Sequence, residues 1–385
     1  MPLGVAEIQR LLARYPPVPT VATVGSHSAI DVADGAATEG LATLVLAQAG
    51  REATYARYFR TVRGPDGVRR RGCVDEVWTY PKFAGLAAPA EQERLRERGA
   101  ILVPNRAFSS YVPLDVIEEE FRVPIFGSRS MLRIEERTER ENYYTLLESA
   151  GVPTPHRLAG PEAIEGLAIV KLPHASRRLE RGFFTVASPE EYREKSARLI
   201  ARGTILASDL AAARIEEYVL GPVFNFNFFF SPLAPRADGL ELLGVDERRE
   251  SDLDGLVRLP AAQQLALPET ARIPEYTVVG HGTLTVRESI LEEVFGLAER
   301  FVDASRGRYP PGILGPFCLQ TCLDHNGHPR VFDVAARIGG GTNVHLGVGH
   351  PYGNALWRSP MSSGRRVALE LKRAATDGRL AEVVT

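Results

Sequence analysis

Gly315-Pro-Phe-Cys-Leu-Gln320, Val331-Phe-Asp333-Val-Ala-Ala-Arg337 and Gly339-Gly340-Gly341-Thr-Asn343 stand close together late in the chain. Two apolar segments each carry an oxygen side chain that can hold a metal, Gln320 and then Asp333 thirteen residues on. The turn-forming Asp324-His325-Asn326-Gly327 lies between them. In an antiparallel hairpin that spacing sets Gln320 beside Asp333, both facing one pocket. Arg337 and a glycine-rich turn follow at once. Hard oxygen ligands with adjacent cationic and backbone N–H groups suit Mg²⁺ held against a polyphosphate. An ordinary hairpin with polar ends fits the same segment, so the rest of the chain has to decide.

Upstream, Lys171 ends the apolar run Ile169-Val170-Lys171, where an ammonium would neutralise phosphate oxygens. A strand-edge lysine that only snorkels is the alternative. The strand expected from Arg214 to Val219 carries Glu216 and Glu217, acids placed as in an adenine-binding hinge between two lobes; a solvated strand end reads equally well. Phe224-Asn225-Phe226-Asn227-Phe228 alternates, so one face is aromatic core and the other presents amides. Short β runs at 168–171 and 182–186 are joined by a basic loop, Arg177-Arg178-Leu-Glu180-Arg181. Helices are expected from Arg137 to Ala150, stopped by Gly151, and over 288–302, where Ile290, Leu291, Val294, Phe295, Ala298, Phe301 and Val302 form one stripe.

The first third has a different rhythm. A short amphipathic helix is expected over 5–15, then the buried strand Thr20 to Val24, running into Gly25-Ser26-His27-Ser28. A helix to Glu39, closed by Gly40, and a second strand from Leu41 to Ala47 complete the opening of a Rossmann-like parallel unit. Ala100 to Val103 reads as a later strand of that sheet, ending in a loop with Asn105, Arg106, Ser109 and Ser110. Ligands of open α/β sheets sit beyond the carboxyl ends of the strands, so His27 and the 105–111 loop should face one crevice. His27, at a strand-to-helix turn, is placed to donate to a substrate phosphate or carboxamide; a helix-capping histidine is the alternative. The expected division is 1–125, 126–219 and 220–385.

Composition narrows the class. The chain has 385 residues, 44% hydrophobic and 24% charged, enough for two or three cores. A net charge of −2 offers no general attraction to nucleic acid or anionic membrane. Three cysteines, Cys73, Cys318 and Cys322, fit buried thiols in a reducing compartment better than a disulfide framework. No apolar run approaches the roughly 20 residues that span a bilayer. A cytoplasmic protein is expected.

The order of a phosphate lysine, an acidic hinge and then an oxygen-ligand hairpin with an arginine and a glycine turn resembles the ATP-grasp superfamily. The likeness is closer still in Gly25-Ser26-His27-Ser28, Val170-Lys171-Leu-Pro173, Glu216-Glu217-Tyr-Val219, Glu250-Ser251, Gly280-His281 and Gly315-Pro-Phe-Cys-Leu-Gln320. Together these resemble the archaeal formate-dependent FAICAR synthetases of purine biosynthesis. The resemblance implies an ATP-grasp fold of two α+β lobes behind a Rossmann-like domain. It implies a ligase that phosphorylates formate with ATP and Mg²⁺ (or Mn²⁺) and passes the formyl group to the amine of AICAR, 5-aminoimidazole-4-carboxamide ribonucleotide. It also implies a homo-oligomer.

Residue by residue, it implies acceptor contacts at Ser26, His27 and His281, and nucleotide contacts at Lys171, Glu216, Glu217, Val219 and Glu250. Metal contacts fall at Gln320 and Asp333. Read on their own, Arg337 and Asn343 are placed to steady the transferred phosphate, although an arginine beside glycines can serve only to brace a turn. Three positions depart from the family pattern. Ala107 stands where a serine usually contacts the acceptor, leaving Ser109 or Ser110 to replace it. Asp333 stands for a glutamate, and Ala335 for a small polar residue. An ATP-grasp ligase with another acid or amine, or a nucleotide-binding protein without turnover, are the competing expectations.

Overall fold

A computed structural model describes residues 3–173, 182–268 and 278–385. After a first helix α1 (Val5–Leu12), strand β1 (Thr20–Val24), helix α2 (Ala29–Thr38), β2 (Ala42–Gln48), β3 (Glu76–Tyr80) and β4 (Ala100–Val103) build a parallel sheet in the order β3-β2-β1-β4. Every residue of β1 and β4 is buried, as strands covered on both faces require. The chain winds from β1 to one side and then crosses to β4 on the other. The switch point lies between β1 and β4, where a crevice opens past their carboxyl ends.

The segment after β4 is a helix, α3 (Arg106–Tyr111), not the expected loop. Asn105 explains this: its Oδ1 caps the Phe108 N–H, while its Nδ2 donates to the carbonyls of Val24 (2.7 Å) and Ser26 (3.2 Å). One side chain thus starts α3 and ties it to the turn after β1.

The middle of the chain begins with α4 (Tyr143–Ser149), six residues later than the sequence predicts. Asn142 and Thr145 form a capping box, which fixes the start at Tyr143 and leaves Arg137 in an irregular segment. Strands β5 (Ala168–Lys171), β6 (Phe183–Val186) and β7 (Arg214–Glu217) form a small antiparallel sheet in the order β6-β5-β7. The basic stretch at 177–181 lies outside the described residues.

A larger antiparallel sheet follows, from β8 (Val223–Phe230), β9 (Leu240–Glu250), β10 (Val278–Thr283), β11 (Gly315–Leu323) and β12 (Pro329–Ala335), in the order β10-β9-β8-β11-β12. The alternation in β8 resolves as expected. Phe226, Phe228 and Phe230 enter a core with α4 and α5 (Leu291–Arg308), where Phe228 stacks on Phe317 at 5.4 Å between ring centroids. Asn225 and Asn227 point to the other face.

Helix α6 (Ser363–Thr376) then returns to the first sheet and lies across α2. The two helices meet backbone to backbone at Gly35 and Gly364: a Cβ on Gly35 would overlap the Arg365 nitrogen, and one on Gly364 the Asp31 carbonyl oxygen. Asp31 Oδ2 accepts from the Gly364 N–H at 2.9 Å. Val367, Ala368 and Leu371 of α6 share one core with Val21, Val32 and Ile101 on one side and with Phe229 and Leu243 of the larger sheet on the other. This helix is the mortar between the two sheets. Arg366, 1% exposed, locks it further through a bidentate pair with Glu241 and a bond to Glu370.

Candidate active site

The crevice past β1 and β4 opens onto the polar face of the larger sheet, and the small sheet closes the far side. The result is a cleft of about 700 Å³. Its floor is set by strand register. Asp333 of β12 pairs with Gln320 of β11, Gln320 with Asn225 of β8, and Asn225 with Asp246 of β9. Alternation puts all four on one face, so a carboxylate, two amides and a carboxylate run in a row across four strands. A bulge after Gln320 pairs Thr321 with Val331 and skips Phe332, a device that re-aims side chains at sheet edges.

At the Asp333 end of the row, Asp333 accepts from the Val334 N–H at 3.0 Å and Gln320 Oε1 from Arg248. Each retains lone pairs toward the cleft. Arginines crowd this end. Arg337 is 9% exposed and pairs with Glu135 at 3.2 Å, while Arg106 pairs with Glu135 (3.4 Å) and Glu136 (3.3 Å). Asp333 raises the affinity of both Arg106 and Arg137 for their protons, which places its charge among them. Such a cluster of cations beside one carboxylate suits a polyphosphate with its metal. Among the described residues no three His, Cys, Asp or Glu side chains are arranged to hold a metal alone. A Mg²⁺ ion fits only if phosphate oxygens complete its shell, which is its usual habit.

On the small-sheet side, Lys171 is no snorkelling edge residue. It is 6% exposed, 2.5 Å from Glu216 Oε2, and donates to Tyr144 Oη (3.0 Å) and the Phe332 carbonyl (3.3 Å). Glu216 is fully buried and also meets Arg214. Glu217 is exposed and accepts from the His156 N–H at 2.8 Å. Val219 and Glu250 line the same end of the cleft.

At the switch point, His27 takes a left-handed backbone with φ of 42°, uncommon for a side-chain-bearing residue and concentrated at functional turns. Ser26 Oγ lies 2.7 Å from its Nδ1. Asn343 Nδ2 donates to the His27 carbonyl at 2.7 Å, and Asn343 Oδ1 accepts from the Asp31 N–H. Ser28 Oγ reaches the Gly339 carbonyl. The glycine turn is therefore hooked onto the first sheet.

Ten of the predicted site residues line one cleft: His27, Lys171, Glu216, Glu217, Val219, Glu250, His281, Gln320, Asp333 and Arg337. Four do not. Ser26 and Asn343 stand behind His27, bonded to it. Ala107 and Ser109 are buried in α3, at 4% and 6% exposure, with Ala107 in the core of the first domain and Ser109 turned to the Arg106 carbonyl. Arg106 is the α3 residue that faces the cleft.

Asp246 carries no signal of its own in the sequence. It is 1% exposed, and burial raises its pKa to about 6 against the hydrogen bonds from Asn225 and Asn227 and the Arg248 charge, which lower it. His281 Nε2 lies 4.0 Å from its Oδ1.

Comparison with known proteins agrees with this architecture. Two family models match, one described as a protein of unknown function (DUF1246) over residues 21–158 and one as a domain of unknown function (DUF1297) over 191–385. The chain is 41% identical over 366 residues to a 5-formaminoimidazole-4-carboxamide-1-(beta)-D-ribofuranosyl 5'-monophosphate synthetase of Methanopyrus kandleri, covering 95% of each. The Methanobrevibacter smithii protein of the same name is 38% identical, over 95% of this chain and 94% of its own. Among solved structures, an IMP biosynthesis protein PurP from Thermococcus kodakaraensis superposes with a TM-score of 0.70 at 28% identity, over 95% of this chain and all of that one. An N5-carboxyaminoimidazole synthetase from Staphylococcus aureus, complexed with ADP, reaches 0.57 at 12% identity, over 92% and 77%. That likeness concerns the fold alone, which is the ATP-grasp fold.

Proposed function

Since the chain belongs to the family of 5-formaminoimidazole-4-carboxamide-1-(beta)-D-ribofuranosyl 5'-monophosphate (FAICAR) synthetases, we propose that it is an ATP-dependent ligase joining formate to the 5-amino group of AICAR. Formate is a resonance-stabilised anion and a poor electrophile. Phosphorylation by ATP gives formyl phosphate, whose phosphate leaves when the amine attacks; the products are FAICAR, ADP and phosphate. The observation that carries this reading is the polar row from Asp333 to Asp246, with cationic side chains at one end and the switch-point histidine near the other.

Phosphoryl transfer asks mainly for positioning and charge neutralisation. Lys171 and Arg337 supply fixed positive charge to the triphosphate, and Glu216 to Val219 with Glu250 hold the nucleoside. Gln320 and Asp333 would hold Mg²⁺, which when bound neutralises charge on the transferred phosphate. His27 and His281 receive the acceptor ribonucleotide. In this reading residues 1–125 carry the acceptor side, 126–219 the nucleotide side and 220–385 the metal. The cleft walls shield the labile acyl phosphate from water.

ADP release is the direct test, measured with ATP alone, with formate or AICAR added singly, and with both. Release dependent on both supports the reading; release with AICAR and another acid replaces formate. Release with neither, or none at all, overturns it. Lys171→Ala should weaken ATP binding by at least about tenfold, since it removes a charge-assisted contact worth roughly 1.5–3 kcal/mol. Titration calorimetry showing unchanged affinity would take Lys171 out of the nucleotide site.

A further inference from the structure

The middle of the polar row holds a cluster with an unusual hydrogen-bond balance. Asp246 accepts from Asn225 Nδ2 at 2.8 Å and from Asn227 Nδ2 at 2.6 Å. An ionised carboxylate offers no donor, so both amides must turn their nitrogens to it. That leaves Asn225 Oδ1 and Asn227 Oδ1, both buried and both without a donor among the described residues. Buried acceptors left unpaired are costly, and native proteins seldom keep two side by side without a use.

The glycine turn fits over this cluster at close range. A Cβ on Gly339 would overlap Asn227 Oδ1, and one on Gly341 would overlap Asp246 Oδ1. Gly340 approaches His27, and His281 stands 4.0 Å from Asp246. Asp246, Asn225 and Asn227 line the cleft together with His27 and His281, the glycine turn packed beside them, and the oxygens left over in the cluster are acceptors. A ligand seated there must bring N–H groups.

We infer that Asp246, held in place by Asn225 and Asn227, receives the reacting amine of the acceptor and takes its proton. The inference rests on the reaction proposed above. An aminoimidazole carboxamide carries two NH₂ groups, one on the ring and one on the amide, and so could supply the donors that these buried oxygens lack. As the amine lone pair forms the new N–C bond to the formyl carbon, the C–O bond to phosphate breaks and its electron pair leaves with phosphate. One N–H proton passes to a carboxylate oxygen of Asp246, then to phosphate or solvent. A buried carboxylate titrating near 6 is a stronger base than an exposed one and is still ionised at neutral pH.

Asp246→Asn keeps the shape and removes the base. In this variant kcat for the complete reaction should fall by about 10²–10⁴-fold, with the KM for ATP unmoved. The acid limb of the wild-type pH–rate profile should vanish. Other groups around Asp246 that bear on that limb are Arg248 on its own strand, His281 on β10, Cys318 on β11, His27 in the switch-point turn and His345 beyond Gly244. A limb that persists in Asp246→Asn belongs to a histidine and overturns the inference, as does near-normal turnover. Asn227→Ala keeps the carboxylate and removes one acceptor and one positioning donor; the KM for AICAR should rise about tenfold, the size of one hydrogen bond, while the KM for ATP stays. If Asp246→Asn does not fold, this second variant carries the test, and an unchanged KM for AICAR refutes it. Failure of the parent reading looks different: the unaltered protein itself would release no ADP with formate and AICAR.

Discussion

Asp333→Ala should abolish the complete reaction while leaving nucleotide binding intact or strengthened. The argument is one of charge. In the proposed site Asp333 is one of two oxygen side chains that would hold Mg²⁺, and among the described residues no other acidic cluster can replace it. Losing the only anionic ligand removes several kcal/mol of transition-state stabilisation, which corresponds to a fall in kcat of at least about 10³-fold. Yet Asp333 also sits among Arg106 and Arg137. Its removal leaves those cations less compensated, so metal-free ATP should bind at least as well. Turnover and affinity then move apart, a pattern that a misfolded variant cannot produce. Asp333→Glu, which keeps the charge on a side chain one methylene longer, should keep turnover. Full activity of Asp333→Ala in ADP-release assays would make the hairpin structural only.

The second large effect is on stability. Gly35→Ala should destabilise the protein by about 2 kcal/mol, although alanine is the better helix former. Two terms compete. Helix propensity favours alanine inside a helix by about 1 kcal/mol. Against it, the new methyl meets the Arg365 backbone nitrogen rather than a flexible side-chain tip. Backbone cannot rotate away, so α2 and α6 must part, and overpacking of this kind costs about 1–3 kcal/mol, occasionally more. Separation would also strain the Asp31–Gly364 bond. Gly166→Ala, at a glycine with open space around it, is the control and should stay within about 0.5 kcal/mol. Chemical unfolding in which the two variants behave alike would show that the helices are loosely packed.

What could be read in the chain followed its local periods. The hairpin that brings Gln320 to Asp333 was legible because a short turn joins two apolar runs; the bulge that skips Phe332, without which Gln320 would face Phe332, was not. The amide face of β8 was legible from its alternation. Asp246 was not, because its place depends on two strand registers at once and its neighbours in sequence, Glu247 and Arg248, look like any charged strand end. Asn105 was read as a loop residue, although a cap of that type before Arg106 can equally start a helix. That choice decided whether Arg106 or Ser109 met the cleft. Arg137 was assigned to a helix that the capping box at Asn142 begins only later. The amphipathic pattern of 363–376 announces a packed helix but carries no address. Only the touching glycines and the Asp31 hydrogen bond reveal that its partner lies more than 300 residues earlier.

That long-range embrace bears on how the protein is made. The first sheet leaves the ribosome early, but α6 is still unsynthesised when residue 126 emerges. At about 5–20 residues per second, the intervening 240 or so residues take roughly 10–50 s to translate. During that interval the side of α2 that α6 will cover stays open, and the nascent chain displays an apolar face that chaperones are suited to guard. Fragments ending near residue 125 should consequently be poor candidates for independent expression, whereas supplying 363–376 in trans could rescue them.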